Sequence, residues 1–83
     1  MVKKVQIYST SSCHYCKLAK EFFNIHHIAY EDYNVGLDAI RRQEMVDKSD
    51  QMGVPVIVIT DEEGEESVIV GFDKATISGF LGL

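Results

Sequence analysis

The sequence is poor in proline, poor in cysteine, short of positive charge and without any long apolar run. It has one proline, Pro55, while 46% of its residues are hydrophobic. A chain so composed buries enough apolar surface to fold, which argues against disorder and for dense regular structure. The apolar stretch after Lys3 and Lys4 is short and broken by Gln6. It is too brief for a signal peptide or a membrane span, so a cytoplasmic protein without a membrane partner is expected. Eight Lys and Arg against thirteen Asp and Glu leave a formal net charge of −5. That balance disfavours nucleic acid, which wants clustered cations on one face. The two cysteines, Cys13 and Cys16, are separated by two residues. A disulfide closing so small a loop gains about 2 kcal/mol or less in chain entropy, so stapling the fold is not their purpose. At 83 residues there is room for one core, and no repeat or linker is visible, so residues 1–83 are expected to form one domain, as a monomer.

What is present is ordered like an α/β protein. Val2, Val5, Ile7 and Tyr8 read as a first strand, and Ser9 to Ser12 as a polar turn whose hydroxyls can cap a helix. From Cys13 to about Ile25 there is no glycine or proline, and Cys16, Ala19, Phe22, Phe23 and His26 recur at helical spacing. Phe22 and Phe23 are core candidates. Ile28 to Val35 reads as a second strand, which implies a right-handed parallel crossover. Asp38 predicts the N-cap of a second helix reaching about Ser49, with Leu37, Ile40, Met45 and Val46 on its buried side. Val56-Ile57-Val58-Ile59 is a continuous apolar run of the kind that occupies the middle of a sheet. Asp61-Glu62-Glu63-Gly64 is a turn toward an antiparallel strand over Ser67 to Val70. Asp73 caps a last short helix with Ile77, Phe80 and Leu81 on one face. The order is βαβαββα, a mixed four-stranded sheet flanked by helices.

The chemistry is concentrated at Cys13. A Cys-x-x-Cys pair between a strand and a helix is a redox signature, because the first sulfur lies where unpaired backbone N–H groups converge. Those donors and the helix dipole favour a thiolate, and cysteines so placed have pKa values of roughly 3.5–7.5 against about 8.5 for a free thiol. A depression of about two pH units raises the thiolate share at pH 7 from about 3% to about 75%, while a Brønsted slope near 0.5 takes back roughly tenfold in nucleophilicity. The gain as attacker is then about two- to threefold and the gain as leaving group roughly tenfold. Such tuning favours cycling through a mixed disulfide, with Cys16 one turn further in as the resolving thiol.

Tyr8-Ser9-Thr10-Ser11-Ser12-Cys13-His14-Tyr15-Cys16 resembles the active-site turn of glutaredoxins, whose usual form is Cys-Pro-Tyr-Cys. Gly53-Val54-Pro55 is similar to that family's Thr-Val-Pro segment, and Val70-Gly71-Phe72-Asp73 to its Gly-Gly-x-Asp segment. The resemblance implies a thioredoxin fold and a thiol–disulfide oxidoreductase working on protein or small-molecule disulfides through a Cys13/Cys16 dithiol cycle. It implies that Pro55 is cis, that Val54 and Pro55 present a backbone edge to substrate, and that Tyr15, Gly71 and Asp73 belong to the substrate site. No bound cofactor is implied beyond the redox-active disulfide. Glutaredoxins commonly hold the carboxylates of glutathione with basic residues where Thr10 and Met52 stand here. Gly53 replaces threonine and Val70 a glycine. These departures weaken glutathione as reductant, and the related redoxins that feed ribonucleotide reductase take electrons from thioredoxin reductase instead. Both reductants stay open.

Other readings are weaker. His14 occupies the family's proline position; as a cation it would lower the Cys13 pKa, but the helix dipole opposes a cation there. Tyr15 either flanks the sulfurs or covers the core edge. Lys17 and Lys20 read as a solvated helix face, Asp61 to Glu66 as a solvated turn, and His26 and His27 as a favourable helix C-terminus. No metal site is expected within one chain, because the histidines lie about thirteen residues, or roughly 20 Å, along the helix from Cys13. The alternative function is an iron–sulfur or soft-metal carrier bridging two chains through Cys13.

Overall fold

Alternating side chains set the sheet. Strand β1 (Val2–Ser9) is buried from Val5 onward, which only a strand covered on both faces can achieve. A computed structural model describes residues 2–83. It places β1 parallel to β2 (Glu31–Asn34) and antiparallel to β3 (Val56–Asp61), which pairs antiparallel with β4 (Glu66–Val70). The sheet order is β2-β1-β3-β4. The apolar run of β3 is central, as its composition predicts. With helices α1 (His14–Ile25), α2 (Ala39–Ser49) and α3 (Lys74–Leu81), the order is βαβαββα.

Each sheet face carries its own core. Val5, Ile7, Ile57, Ile59 and Ile69 meet Ala19, Phe22 and Phe23 of α1 and Ile77 of α3. On the other face Tyr8, Val56 and Val58 meet Val35, just past β2, and Met45 of α2. The strand pairs Tyr8 with Val56, Val56 with Val70 and Ser9 with Asn34 bring the ends of β1, β2 and β4 to the start of β3. The N-termini of all three helices and the Val54-Pro55 segment therefore gather at one end of the sheet.

Several expectations need correction. The second strand is shorter than residues 28–35: Ile28 and Tyr30 pack on the α1 core from the connection, and Val35 adds one bond, its N–H donating to Ser9 O at 2.9 Å. Leu37 and Ile40 do not lie on a buried side of α2; they are 88% and 80% exposed. Five residues separate Ile40 from Met45, about 140° around a helix after one full turn, so both cannot face the sheet. Once Met45 turns inward, the inner stripe is Arg41, Glu44, Met45, Lys48 and Ser49. Phe80 is half exposed, at the rim of the α3 contact made by Ile77 and Leu81.

Candidate active site

Cys13 is itself the N-cap of α1, a role the sequence suggests for the preceding hydroxyls. Its backbone is extended (φ −85°, ψ 113°), and its Sγ accepts the N–H of Cys16 at 3.1 Å. A thiolate at this position receives the same charge-assisted bond, and the dipole of α1 adds to it. The turn closes through Cys13 N–H to Thr10 O at 3.3 Å, and the helix begins with Lys17 N–H to Cys13 O, also 3.3 Å. Ser11 and Ser12 stay exposed, whereas Ser9 is buried and bonds elsewhere.

Cys13 and Cys16 form a disulfide with a Cα–Cα separation of 5.2 Å. Cys13 is partly exposed and Cys16 fully buried. One sulfur can therefore meet a substrate, and the other can reach only its partner. Tyr15 is 61% exposed beside the pair, and the exposed His14 ring lies edge-on to it, 5.6 Å between centroids.

The Val54–Pro55 peptide is cis, and Pro55 is fully buried. Its carbonyl accepts the N–H of Gly71 at 2.8 Å. Gly71 has φ +84°, a conformation that glycine takes without steric cost. Two residues on, Asp73 caps α3: Oδ1 accepts Thr76 N–H at 3.2 Å and Oδ2 accepts the Thr76 hydroxyl at 2.7 Å. The Thr76 hydroxyl, then its N–H, hold the Asp73 carboxyl below its ordinary range. The dithiol, Pro55, Gly71 and Asp73 are thus brought to the same end of the sheet. Thr10 and the exposed Met52 occur in segments at that end too.

Other candidates lie away from it. His26 caps the far end of α1, and His27 follows with φ 57°. Among the described residues, no group of three or more His, Cys, Asp and Glu could hold a metal ion. The acidic turn closes the β3–β4 hairpin at the opposite end of the sheet, with Asp61 Oδ1 accepting the N–H groups of Glu63 and Glu65. One cluster escaped the sequence reading. Ser9, Asp32 and Lys20 join beneath α1, through a hydroxyl bond of 2.6 Å and an ion pair of 2.7 Å. The only local signal was the spacing of four between Cys16 and Lys20, which puts Lys20 on the same side of the helix as a buried residue.

A mixed sheet of this order with a Cys-x-x-Cys disulfide opening its first helix defines a thioredoxin-fold dithiol protein. The glutaredoxin family model matches residues 5–63, and the chain belongs to the glutaredoxin family. It is similar to an uncharacterised glutaredoxin-like 8.6 kDa protein of the rubredoxin operon of Clostridium pasteurianum, 44% identical over 93% of this chain and 96% of that one. Among solved structures it resembles a thioredoxin-like protein (TM-score 0.79, 30% identity, 93% of this chain and 99% of the other). It also resembles the glutaredoxin of Methanosarcina mazei Go1 (TM-score 0.78, 27% identity, 96% and 79%).

Proposed function

We propose that this protein is a dithiol oxidoreductase that reduces disulfides in proteins or small thiol compounds. The observation that carries the reading is the asymmetry of the pair: Cys13 is partly exposed at the helix cap with an N–H aimed at its sulfur, and Cys16 is buried behind it. The Cys13 thiolate attacks a substrate disulfide, forming a mixed disulfide and expelling one substrate thiolate. Cys16 then attacks Cys13 Sγ, the second substrate sulfur leaves, and the pair is oxidised. Val54, Pro55 and Tyr15 border the approach to Cys13, and past the Gly71 N–H, which the Pro55 carbonyl takes, the N–H groups of Phe72 and Asp73 face a substrate chain.

Thr10 and Met52 give the two carboxylates of glutathione no cationic partner, and the half-exposed side chain of Val70 stands where a glycine would leave room. Both features favour a protein reductant of the thioredoxin reductase kind over glutathione. Replacing Cys13 by serine should abolish reduction of a model disulfide, and Cys16→Ser should accumulate mixed disulfides. Normal turnover by Cys13→Ser would overturn the assignment. Coupling NADPH consumption separately through glutathione with its reductase and through thioredoxin reductase identifies the donor, and the second should sustain the faster turnover.

A further inference from the structure

The sheet ends on two edges, and only one of them is guarded. The order β2-β1-β3-β4 leaves β2 and β4 outermost. β2 is four residues long and sets Glu31 and Asp32 in ion pairs with Lys4 and Lys20, the kind of charge that discourages strand addition. β4 reads Glu-Ser-Val-Ile-Val, with a single charge at its start. Its register shows which backbone groups are free. Gly71 N–H bonds Pro55 O and Asp61 N–H bonds Glu65 O, so residues 65, 67, 69 and 71 are those that exchange hydrogen bonds with β3. The N–H and C=O groups of Glu66, Val68 and Val70 face the other way, where the sheet has no further strand.

The side chains of these three residues stand on the α2 face, because Val70 and Val68 oppose Val56 and Val58 of the core there. α2 leaves them open: Val68 is 37% and Val70 54% exposed. An apolar ladder and a row of unused donors and acceptors thus run together along one edge. That edge starts at the acidic turn and ends at Gly71, beside the Pro55 carbonyl. In the turn Asp61 is engaged by two N–H groups, and Glu66 is paired with Lys48. Glu62, Glu63 and Glu65 are exposed and, among the described residues, carry no ion pair.

We infer that β4 takes an extended segment of the disulfide-bearing protein substrate as an added strand, apolar at alternate positions and basic where it reaches the acidic turn. This inference rests on the dithiol cycle proposed above. An antiparallel segment enters from the dithiol end, so its reacting cysteine comes first in its sequence. The residues opposite Val70, Val68 and Glu66 exchange hydrogen bonds with them. Their side chains set two apolar groups beside the valines and a cation beside Glu66, and the next residue lies opposite Glu65. The signature is apolar-x-apolar-x-basic-basic. Charge decides the occupant, for a second copy brings the same net charge of −5 and has no lysine or arginine in its own β4. Three strand spacings, roughly 14 Å, separate the added strand from β1, and about five extended residues span them.

The test follows release of the coloured thiolate, by the reduced protein, from a synthetic peptide whose single cysteine is held as its mixed disulfide with 2-nitro-5-thiobenzoate. A flexible run of about five glycine and serine residues follows the cysteine, then Val-Thr-Val-Thr-Lys-Lys. A second peptide ends in Glu-Glu instead. The parent protein should reach half its maximal rate at about tenfold lower concentration of the lysine peptide than of the glutamate peptide, with equal maximal rates. Val68→Pro removes an outward N–H and leaves the ladder to β3 intact, as an edge strand tolerates. It should raise the half-saturating concentration of the lysine peptide about tenfold and leave reduction of 5,5′-dithiobis(2-nitrobenzoate) unchanged. Glu63→Lys combined with Glu65→Lys, both at exposed positions, should reverse the preference between the peptides. It also serves should Val68→Pro not fold. Equal half-saturation by the two peptides in the parent, or the parental value in Val68→Pro, overturns the inference. So does a dimer in sedimentation that Val68→Pro dissolves, because the edge then belongs to a second copy. Failure of the parent protein to reduce 5,5′-dithiobis(2-nitrobenzoate) would instead overturn the dithiol cycle itself.

Discussion

The two faces of the sheet are held by different forces. Under α1 and α3 the contact is almost wholly apolar: Phe22 meets Phe72 and Phe23 meets Tyr30 at centroid distances of 5.8 and 5.3 Å, over a floor of Val and Ile. Under α2 the inner stripe carries charged side chains that find their partners on the sheet. Tyr8 donates its hydroxyl to Glu44 at 2.5 Å, Arg41 bonds the same carboxylate and stacks on the Tyr33 ring at 4.0 Å, and Lys48 pairs with Glu66 at 2.8 Å. The face behind the helix that carries the dithiol is thus an apolar bed with one polar cluster, Ser9, Asp32 and Lys20, whereas the α2 face is a thin core rimmed by ion pairs. Rigid packing suits the side that must hold Cys13 and Cys16 within bonding distance, because a displaced sulfur loses its line of attack.

Truncation in the apolar bed should have the largest effect on folding. Phe23→Ala, at a fully buried site, is expected to cost about 3–5 kcal/mol by denaturant unfolding, a large share of the roughly 5–15 kcal/mol of a typical domain. A cost below about 1 kcal/mol would erase the contrast drawn between the faces.

The α2 face should respond less, and with a pH signature. Glu44 is held below the ordinary carboxylate range, first by the Tyr8 hydroxyl and then by Arg41, while burial and the Glu44 carboxylate push the Tyr8 phenol upward. A carboxyl depressed in the folded state contributes stability that is present above its unfolded value and lost as pH falls through the folded one. Glu44→Gln should cost about 1 kcal/mol at neutral pH, and its difference from the parent should shrink on acidification below about pH 4. A pH-independent difference would mean that the carboxylate acts by shape rather than charge. Asp73 shares this sign through its bonds to Thr76, at the start of α3. Smallest of all, Leu37→Ser and Ile40→Ser, both on exposed positions of the α2 side, should change stability by no more than about 0.5 kcal/mol.

The sequence errors follow the same division. The helix carrying Phe22 and Phe23 and the run Val56 to Ile59 were legible because one force, apolar burial, decides them and leaves a periodic trace. Leu37 and Ile40 misled because hydrophobicity alone says nothing of a stripe in which Arg41, Glu44 and Lys48 turn inward to meet the hydroxyl of Tyr8, the ring of Tyr33 and the carboxylate of Glu66. Ser9 misled in another way. Its place in a polar turn suggests a cap, but the cap belongs to Cys13, and Ser9, the last residue of an interior strand, is carried under α1.

The amino-acid sequence by itself determined the dithiol, its position at a helix start, the order of elements and the central strand, because capping, spacing and apolar runs act over a few residues. Only the tertiary structure decided that Cys16 is sealed from water, that Gly71 binds the carbonyl of Pro55, and that the Ser9 hydroxyl donates to Asp32, 23 residues away. Those arrangements depend on which strand lies beside which and which helical stripe turns down, and packing settles both for the whole chain at once.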